Sequence, residues 1–247
     1  MTAPDPTRRA ALAERLAEVT GRIARASQAA GRAPGEVSLV AVTKTFPASD
    51  VVLLAELGIT DVAENKDQEA SVKAAEVAAR LGPRAPRWHF VGQLQRNKAR
   101  SVVKYADVVE SVDRPELVEA LAKASSAYRD VPLDVLLQVD LSEFGGQSAS
   151  GARGGVAPAE VPRLAEAVAG SPGLRLAGVM AVAPLEAEAA TAFAGLLSVA
   201  ERLRQDHPGA SVISAGMSGD LEAAVTSGAT HVRVGTALLG GRTPPGR

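Results

Sequence analysis

The run SLVAVTKTFP, residues 38–47, is small, apolar and branched up to Thr43, and then delivers Lys44 just before a turn. Taking an ammonium group out of water costs several kcal/mol unless it is paired or loses its proton. A lysine at the end of a sheet-like run is therefore either already solvated or placed there for its amine. Of the 27 basic residues 21 are arginine, and the six lysines are Lys44, Lys66, Lys73, Lys98, Lys104 and Lys123. Routine surface charge is thus carried by guanidinium, which does not act as a nucleophile, whereas an amine can. Near the other end of the chain, SAGMSGDLEAAV and RVGTALLGG each turn on small residues and then present a hydroxyl, Ser218 and Thr236, where a helix is expected to begin. Singly, Ser218 reads as an ordinary N-cap and Gly235-Thr236 as a tight turn. Together they offer hydroxyls and free backbone N–H groups as a cradle for phosphate. An amine, a phosphate cradle, Arg233 and Asn65 suit two reactions: imine formation with a phosphosugar carbonyl, as in an aldolase, or with the aldehyde of pyridoxal 5'-phosphate.

Other chemistries find no footing. There is no GxxxxGK[ST] and no GxGxxG, which argues against ATP and NAD. His89, His207 and His231 show no ligand spacing, so no metal is expected. GMSGD is not a nucleophile elbow, and the absence of cysteine removes thiolate chemistry and disulfides. The 27 basic residues against 28 acidic ones give no reason to expect nucleic acid or an acidic membrane as partner. No stretch approaches the roughly 20 apolar residues of a membrane span, and the N-terminus lacks a signal-peptide core, so a cytoplasmic location is expected.

The elements that must position these residues alternate. Residues 7–30 carry a first helix, with Leu12, Leu16, Val19 and Ile23 at helical spacing before Gly31. Short apolar runs follow at 37–43, 60–63, 87–91, 107–112, 132–140, 174–180, 210–214 and 231–234. Helical patterns at about 48–58, 66–81, 95–104, 114–127, 158–170, 186–206 and 219–227 separate them. Eight strands in strict alternation with helices imply parallel pairing, and within 247 residues they fit one α/β domain, residues 1–247, folded as a single (β/α)8 TIM barrel with an extra N-terminal helix. A doubly wound open sheet is the runner-up. In a barrel the site lies at the C-terminal ends of the strands, with phosphate at the last two loops. Lys44, Asn65, His89 and Arg233 all fall on or near that face, and the Gly- and Ser-rich segment Ser142 to Val156 could be a lid or a plain surface loop.

In order, SLVAVTKTFPASDV, DVAENKDQEA, RWHFVGQLQRNKAR, GVMAV and SAGMSGDLEAAVTSGATHVRVGTALLGGR, spread over some two hundred residues, resemble the YggS/PROSC family, the pyridoxal phosphate homeostasis proteins. The resemblance implies a barrel of the alanine racemase N-terminal type and pyridoxal 5'-phosphate as cofactor, held as a Schiff base on Lys44. It also implies that Ser218, Gly235 and Thr236, with Gly216 and Met217 in the same loop, hold the phosphate. Arg233 would then face the pyridine nitrogen, and Asn65 and His89 lie in motifs lining the pocket. A cation at that nitrogen makes the ring a weaker electron sink than a carboxylate would. The sequence departs from the family at Lys66, where an aromatic residue is usual, at Gln93, and in the longer loop after strand five.

A two-base racemase needs a second acid, usually a tyrosine, on the opposite face of the coenzyme. Only Tyr105 and Tyr128 exist here, both expected at the far end of the barrel, and the ending GGRTPPGR leaves no further domain in view. The expectation is a monomeric coenzyme carrier with no catalytic residue to assign and little turnover, its partners being apo-enzymes that accept the coenzyme. A racemase-like enzyme and a Schiff-base aldolase are the alternatives.

Overall fold

The computed structural model describes residues 6–144, 154–184 and 188–241. Its parallel strands close in sequence order into a barrel: β1 (Ser38–Val42), β2 (Asp61–Glu64), β3 (Arg87–Phe90), β4 (Val108–Val112), β5 (Leu133–Gln138), β6 (Leu174–Met180), β7 (Val212–Ser214) and β8 (His231–Val234). Pairing of β1 with β8, Val40 opposite Arg233, closes the ring and rules out the open sheet. Between strands lie α2 (Ala48–Glu56), α3 (Asp67–Leu81), α4 (Ala99–Val102), α5 (Pro115–Tyr128), α6 (Val161–Ala169), α7 (Ala189–Asp206) and α8 (Leu221–Thr226). The helix α1 (Pro6–Ala29) precedes the barrel and the short α9 (Thr236–Leu239) follows it. Most expected elements are trimmed at their ends, and two are cut short by a specific local structure. The 95–104 pattern becomes a 3-10 turn, Arg96–Lys98, leading into α4. The start of the 210–214 run is taken by a turn at Pro208-Gly209, in which the Ala210 N–H bonds to the His207 carbonyl. No helix among the described residues is long and apolar enough to cross a membrane.

Period-two alternation sorts the strands into two layers. Ala41, Val62, Val232 and Val234 face outward into the packing of α1, α2, α3 and α8, where Leu12, Val19, Leu54, Val77 and Leu221 are buried. The inward row is divided: Val108, Leu136 and Met180 fill one side with hydrocarbon, while Asp61, His89, Glu110, Ser214 and Arg233 are buried on the other. Barrel interiors normally pack branched apolar side chains, so a half-polar interior marks where function overrides packing.

Gly92, just past β3, fixes the approach of two loops on the C-terminal face. A Cβ there would run into the backbone carbonyl of Asn65. Gly92→Ala must push the β2–α3 and β3–α4 loops apart, and an expected loss of about 1–3 kcal/mol, read by thermal or urea unfolding, checks this close packing.

Candidate functional site

Lys44 lies two residues beyond Val42, on the row that faces the barrel axis, and is half-buried. No described residue gives it an ion pair or hydrogen bond. Its neighbours, by contrast, are fixed. The Thr43 hydroxyl donates to Glu64 Oε1 at 2.7 Å, the Thr43 carbonyl accepts from Lys73 Nζ at 2.9 Å, and the Thr45 N–H donates to Glu69 Oε1 at 2.6 Å.

Beside β1, the loops after β7 and β8 meet. The Arg233 N–H bonds to the Gly216 carbonyl at 2.9 Å, and Ser218 Oγ accepts a long bond, 3.4 Å, from the N–H of Ala237. Gly216 has φ +88°, and a Cβ there would meet the Ala224 methyl at 2.5 Å, so only glycine permits this turn. Asp220 closes the loop by accepting the Met217 N–H at 2.5 Å. From outside, Arg22 of α1 donates to the Ser218 carbonyl at 2.9 Å and pairs with Glu222 at 2.7 Å. The backbone N–H groups of Ser218, Gly219 and Thr236 and the Thr236 hydroxyl reach no acceptor among the described residues. The structure thus brings Lys44, Gly216, Met217, Ser218, Arg233, Gly235 and Thr236 to one side of the mouth, with Asn65 on the adjoining β2 loop.

Beneath the mouth runs a chain of buried polar groups. Arg233 Nη1 donates to Ser214 Oγ at 2.7 Å and Nη2 to the Ala181 carbonyl at 2.8 Å. Ser214 Oγ donates to Glu110 Oε2 at 2.6 Å, and the other Glu110 oxygen accepts from His89 Nδ1 at 2.6 Å. His89 Nε2 donates to Asp61 at 3.0 Å, which lies 3.7 Å from Arg87 at the N-terminal end of the barrel. Burial pulls the His89 pKa down, but the hydrogen bonds and charges of Asp61 and Glu110 outweigh it and carry it up to about 9. Burial likewise raises Glu110, yet His89 and Arg233 bring it down to about 2. His231, whose ring centroid is 6.4 Å from that of His89, is pushed below its ordinary value by burial. The interior therefore alternates Arg233⁺, Glu110⁻, His89⁺ and Asp61⁻, and every charge has a neighbour of opposite sign.

Residues 16–243 match the family described as alanine racemase, N-terminal domain. The chain is 44% identical to the pyridoxal phosphate homeostasis protein of Mycobacterium leprae, covering 94% of this chain and 93% of that one. It is 37% identical to the protein of the same name from Escherichia coli K12, covering 94% and 97%. Among solved structures, PipY of Synechococcus elongatus PCC7942 with PLP bound superposes with a TM-score of 0.75 at 32% identity, covering 93% of this chain and all of that one. The chain belongs to the pyridoxal phosphate homeostasis family. In this member of that family Lys66, where the resemblance implies an aromatic residue, is exposed where α3 begins. Gln93, the second departure, lies against Gly154, where a Cβ would come 2.6 Å from its Nε2. The stretch 145–153 of the loop Ser142 to Val156 lies outside the described residues.

Both ring nitrogens of His89 are taken by carboxylates, so its side chain belongs to the barrel interior and has none left for a ligand in the mouth. Sequence reasoning passed over Glu110, Asp61, Ser214, Glu69 and Lys73. Glu110 had a signal: VVESV places a carboxylate inside a strand otherwise read as buried, where an unpaired charge is untenable. Tyr105 packs between the outer helices, its hydroxyl pKa raised by burial and by Asp67 and Glu64, and Tyr128 is exposed against Arg100 and Lys104.

Proposed function

We propose that this protein, as one domain of 247 residues, binds pyridoxal 5'-phosphate for coenzyme homeostasis, with Lys44 as the attachment point. The observation that carries it is an unpartnered amine beside two loops with unused donors, in a chain 32% identical to PipY with PLP bound. When bound, the coenzyme supplies an aldehyde that condenses with an amine to a Schiff base, releasing water. Lys44 contributes that amine. Ser218, Gly219 and Thr236 offer N–H and hydroxyl donors to a phosphate, around glycines that leave the backbone bare. Arg233, 4% exposed and bound through one N–H of each Nη, keeps its Nε–H for an acceptor in the mouth, the pyridine nitrogen in this reading.

A permanent cation at that nitrogen leaves it unprotonated, which weakens the ring as an electron sink. Tyr105 packs among the outer helices with its hydroxyl near Glu64 and Asp67, behind β2, and Tyr128 is exposed, so in this reading neither supplies the second acid of a racemase. Both features support slow amino-acid turnover at most; in this reading the protein is a carrier that acts in the cytoplasm as a monomer and hands coenzyme to apo-enzymes. The test is the visible spectrum of purified protein with added coenzyme, before and after borohydride, followed by peptide mapping. A shifted band that reduction abolishes, with pyridoxyl on Lys44, is expected. A colourless protein in which Lys44 is trapped only alongside a phosphosugar would replace this reading with a Schiff-base aldolase.

Arg22 bears on the same site, because it anchors the Ser218 carbonyl from α1. Arg22→Ala is expected to weaken coenzyme binding about tenfold, as the loss of one charge-assisted bond to the phosphate loop implies, with little change in the spectrum of the bound form. A binding titration by fluorescence checks it.

A further inference from the structure

Thr45, the residue after Lys44, has φ +71° and is the one non-glycine residue with positive φ among those described. For a β-branched residue this is a steric outlier, and such conformations persist only where the surroundings over-determine them. The surroundings here form a closed network reaching from β2 and α3. Glu69 Oε1 accepts the Thr45 N–H at 2.6 Å and also Lys73 Nζ at 3.0 Å. Lys73, 5% exposed, donates further to Glu64 Oε1 at 2.5 Å and to the Thr43 carbonyl at 2.9 Å, so its three N–H donors are all committed. Glu64, wholly buried, takes the Thr43 hydroxyl as well. The residues on both sides of Lys44 are therefore held, one by carbonyl and hydroxyl and the other by its N–H. Lys44 itself makes no such bond.

We propose that Glu69 and Lys73 are positioning residues: they lock Thr45 in the left-handed conformation and so aim the Lys44 amine into the barrel mouth. This rests on Lys44 being the reactive amine. A merely structural brace between α3 and the β1–α2 loop would stabilise the fold whatever residue stood at 45. A positioning clamp does so by holding a conformation that threonine resists. Glycine adopts φ +71° freely, so Thr45→Gly should relieve the need for the clamp.

The test is a double-mutant cycle on the full chain: Glu69→Ala, Thr45→Gly and both together. Two quantities are read: the unfolding midpoint of coenzyme-free protein, and the rate at which formaldehyde with cyanoborohydride methylates Lys44, mapped by mass spectrometry against the exposed Lys123 on α5. Glu69→Ala is expected to change the relative Lys44 rate about tenfold, in keeping with the loss of a charge-assisted bond. The double variant should return to within about threefold of wild type, since the left-handed turn then needs no support. The midpoint loss from Glu69→Ala should shrink when glycine is at 45. Additive midpoints, an unchanged Lys44 rate in Glu69→Ala, or a double variant as impaired as the single one overturns the proposal. If Glu69→Ala does not fold, Glu69→Met, which keeps the length of the side chain but offers no acceptor to the Thr45 N–H, carries the same cycle. Neither readout uses pyridoxal phosphate, so wild-type protein that failed to load coenzyme would sink the functional reading and leave the clamp to be judged separately.

Discussion

Lys44→Ala is expected to give a folded protein that shows no shifted visible band with pyridoxal phosphate and retains no label after borohydride. The fold should survive, because Lys44 is half-buried and makes no hydrogen bond or ion pair to lose. The phosphate loops and Arg233 are untouched by the change, so weak non-covalent binding should persist. A fall in affinity of about a hundredfold, roughly 3 kcal/mol, is the expected scale. Lys73 cannot substitute for it, since its ammonium is committed to Glu64, Glu69 and the Thr43 carbonyl. A band that persisted in Lys44→Ala, or pyridoxyl mapped to another lysine, would remove Lys44 as the attachment point.

The barrel was legible from the chain because its signals are local. Eight short apolar runs alternating with helical patterns leave few topologies, and right-handed parallel crossovers reduce these to a ring or an open sheet. The placement of Lys44, Ser218 and Thr236 at the C-terminal ends of β1, β7 and β8 was legible for a similar reason, since each follows its own strand. What escaped depends on contacts between distant segments. Nothing in DVVESV says that Glu110 meets His89 from one strand and Ser214 from another, 104 residues away. His89 looked like a pocket residue because it lies near a strand end, yet the inward row is deep enough for Asp61 and Glu110 to enclose it. The conformation of Thr45 was equally invisible, because it is imposed from α3 rather than by its own propensity.

Glu110→Ala should be the most destabilising single change in the barrel. It strips Arg233 of its buried counter-ion and leaves the His89 imidazolium with Asp61 alone, and breaking a buried pair in this way costs about 3–5 kcal/mol. The pH profile distinguishes this cause from simple cavity formation. With its folded pKa raised from 6.5 to about 9, His89 contributes stability that is fully present below pH 6.5 and is lost as pH rises through about 9. At 1.36 kcal/mol per unit, that rise is worth about 3 kcal/mol. Glu110, lowered from 4.5 to about 2, contributes to the same ion pair above pH 4.5 and loses that contribution as pH falls through about 2. His231, lowered by burial, has its full contribution above pH 6.5, so it does not compete with the alkaline loss. The groups facing His89 are Asp61 on β2, Glu110 on β4 and His231 on β8, with Arg87 and Arg233 beyond the carboxylates. Urea unfolding of wild-type protein should therefore show greatest stability near pH 6.5, falling toward about pH 9. In Glu110→Ala the curve should start lower and fall less over the same interval, because burial then weighs more heavily against the His89 proton. A wild-type curve that stayed flat between pH 6.5 and 9 would mean that His89 is neutral in the folded state. Arg233 would then face an undiluted Glu110 carboxylate, and its role as the cation of the mouth would have to be reconsidered.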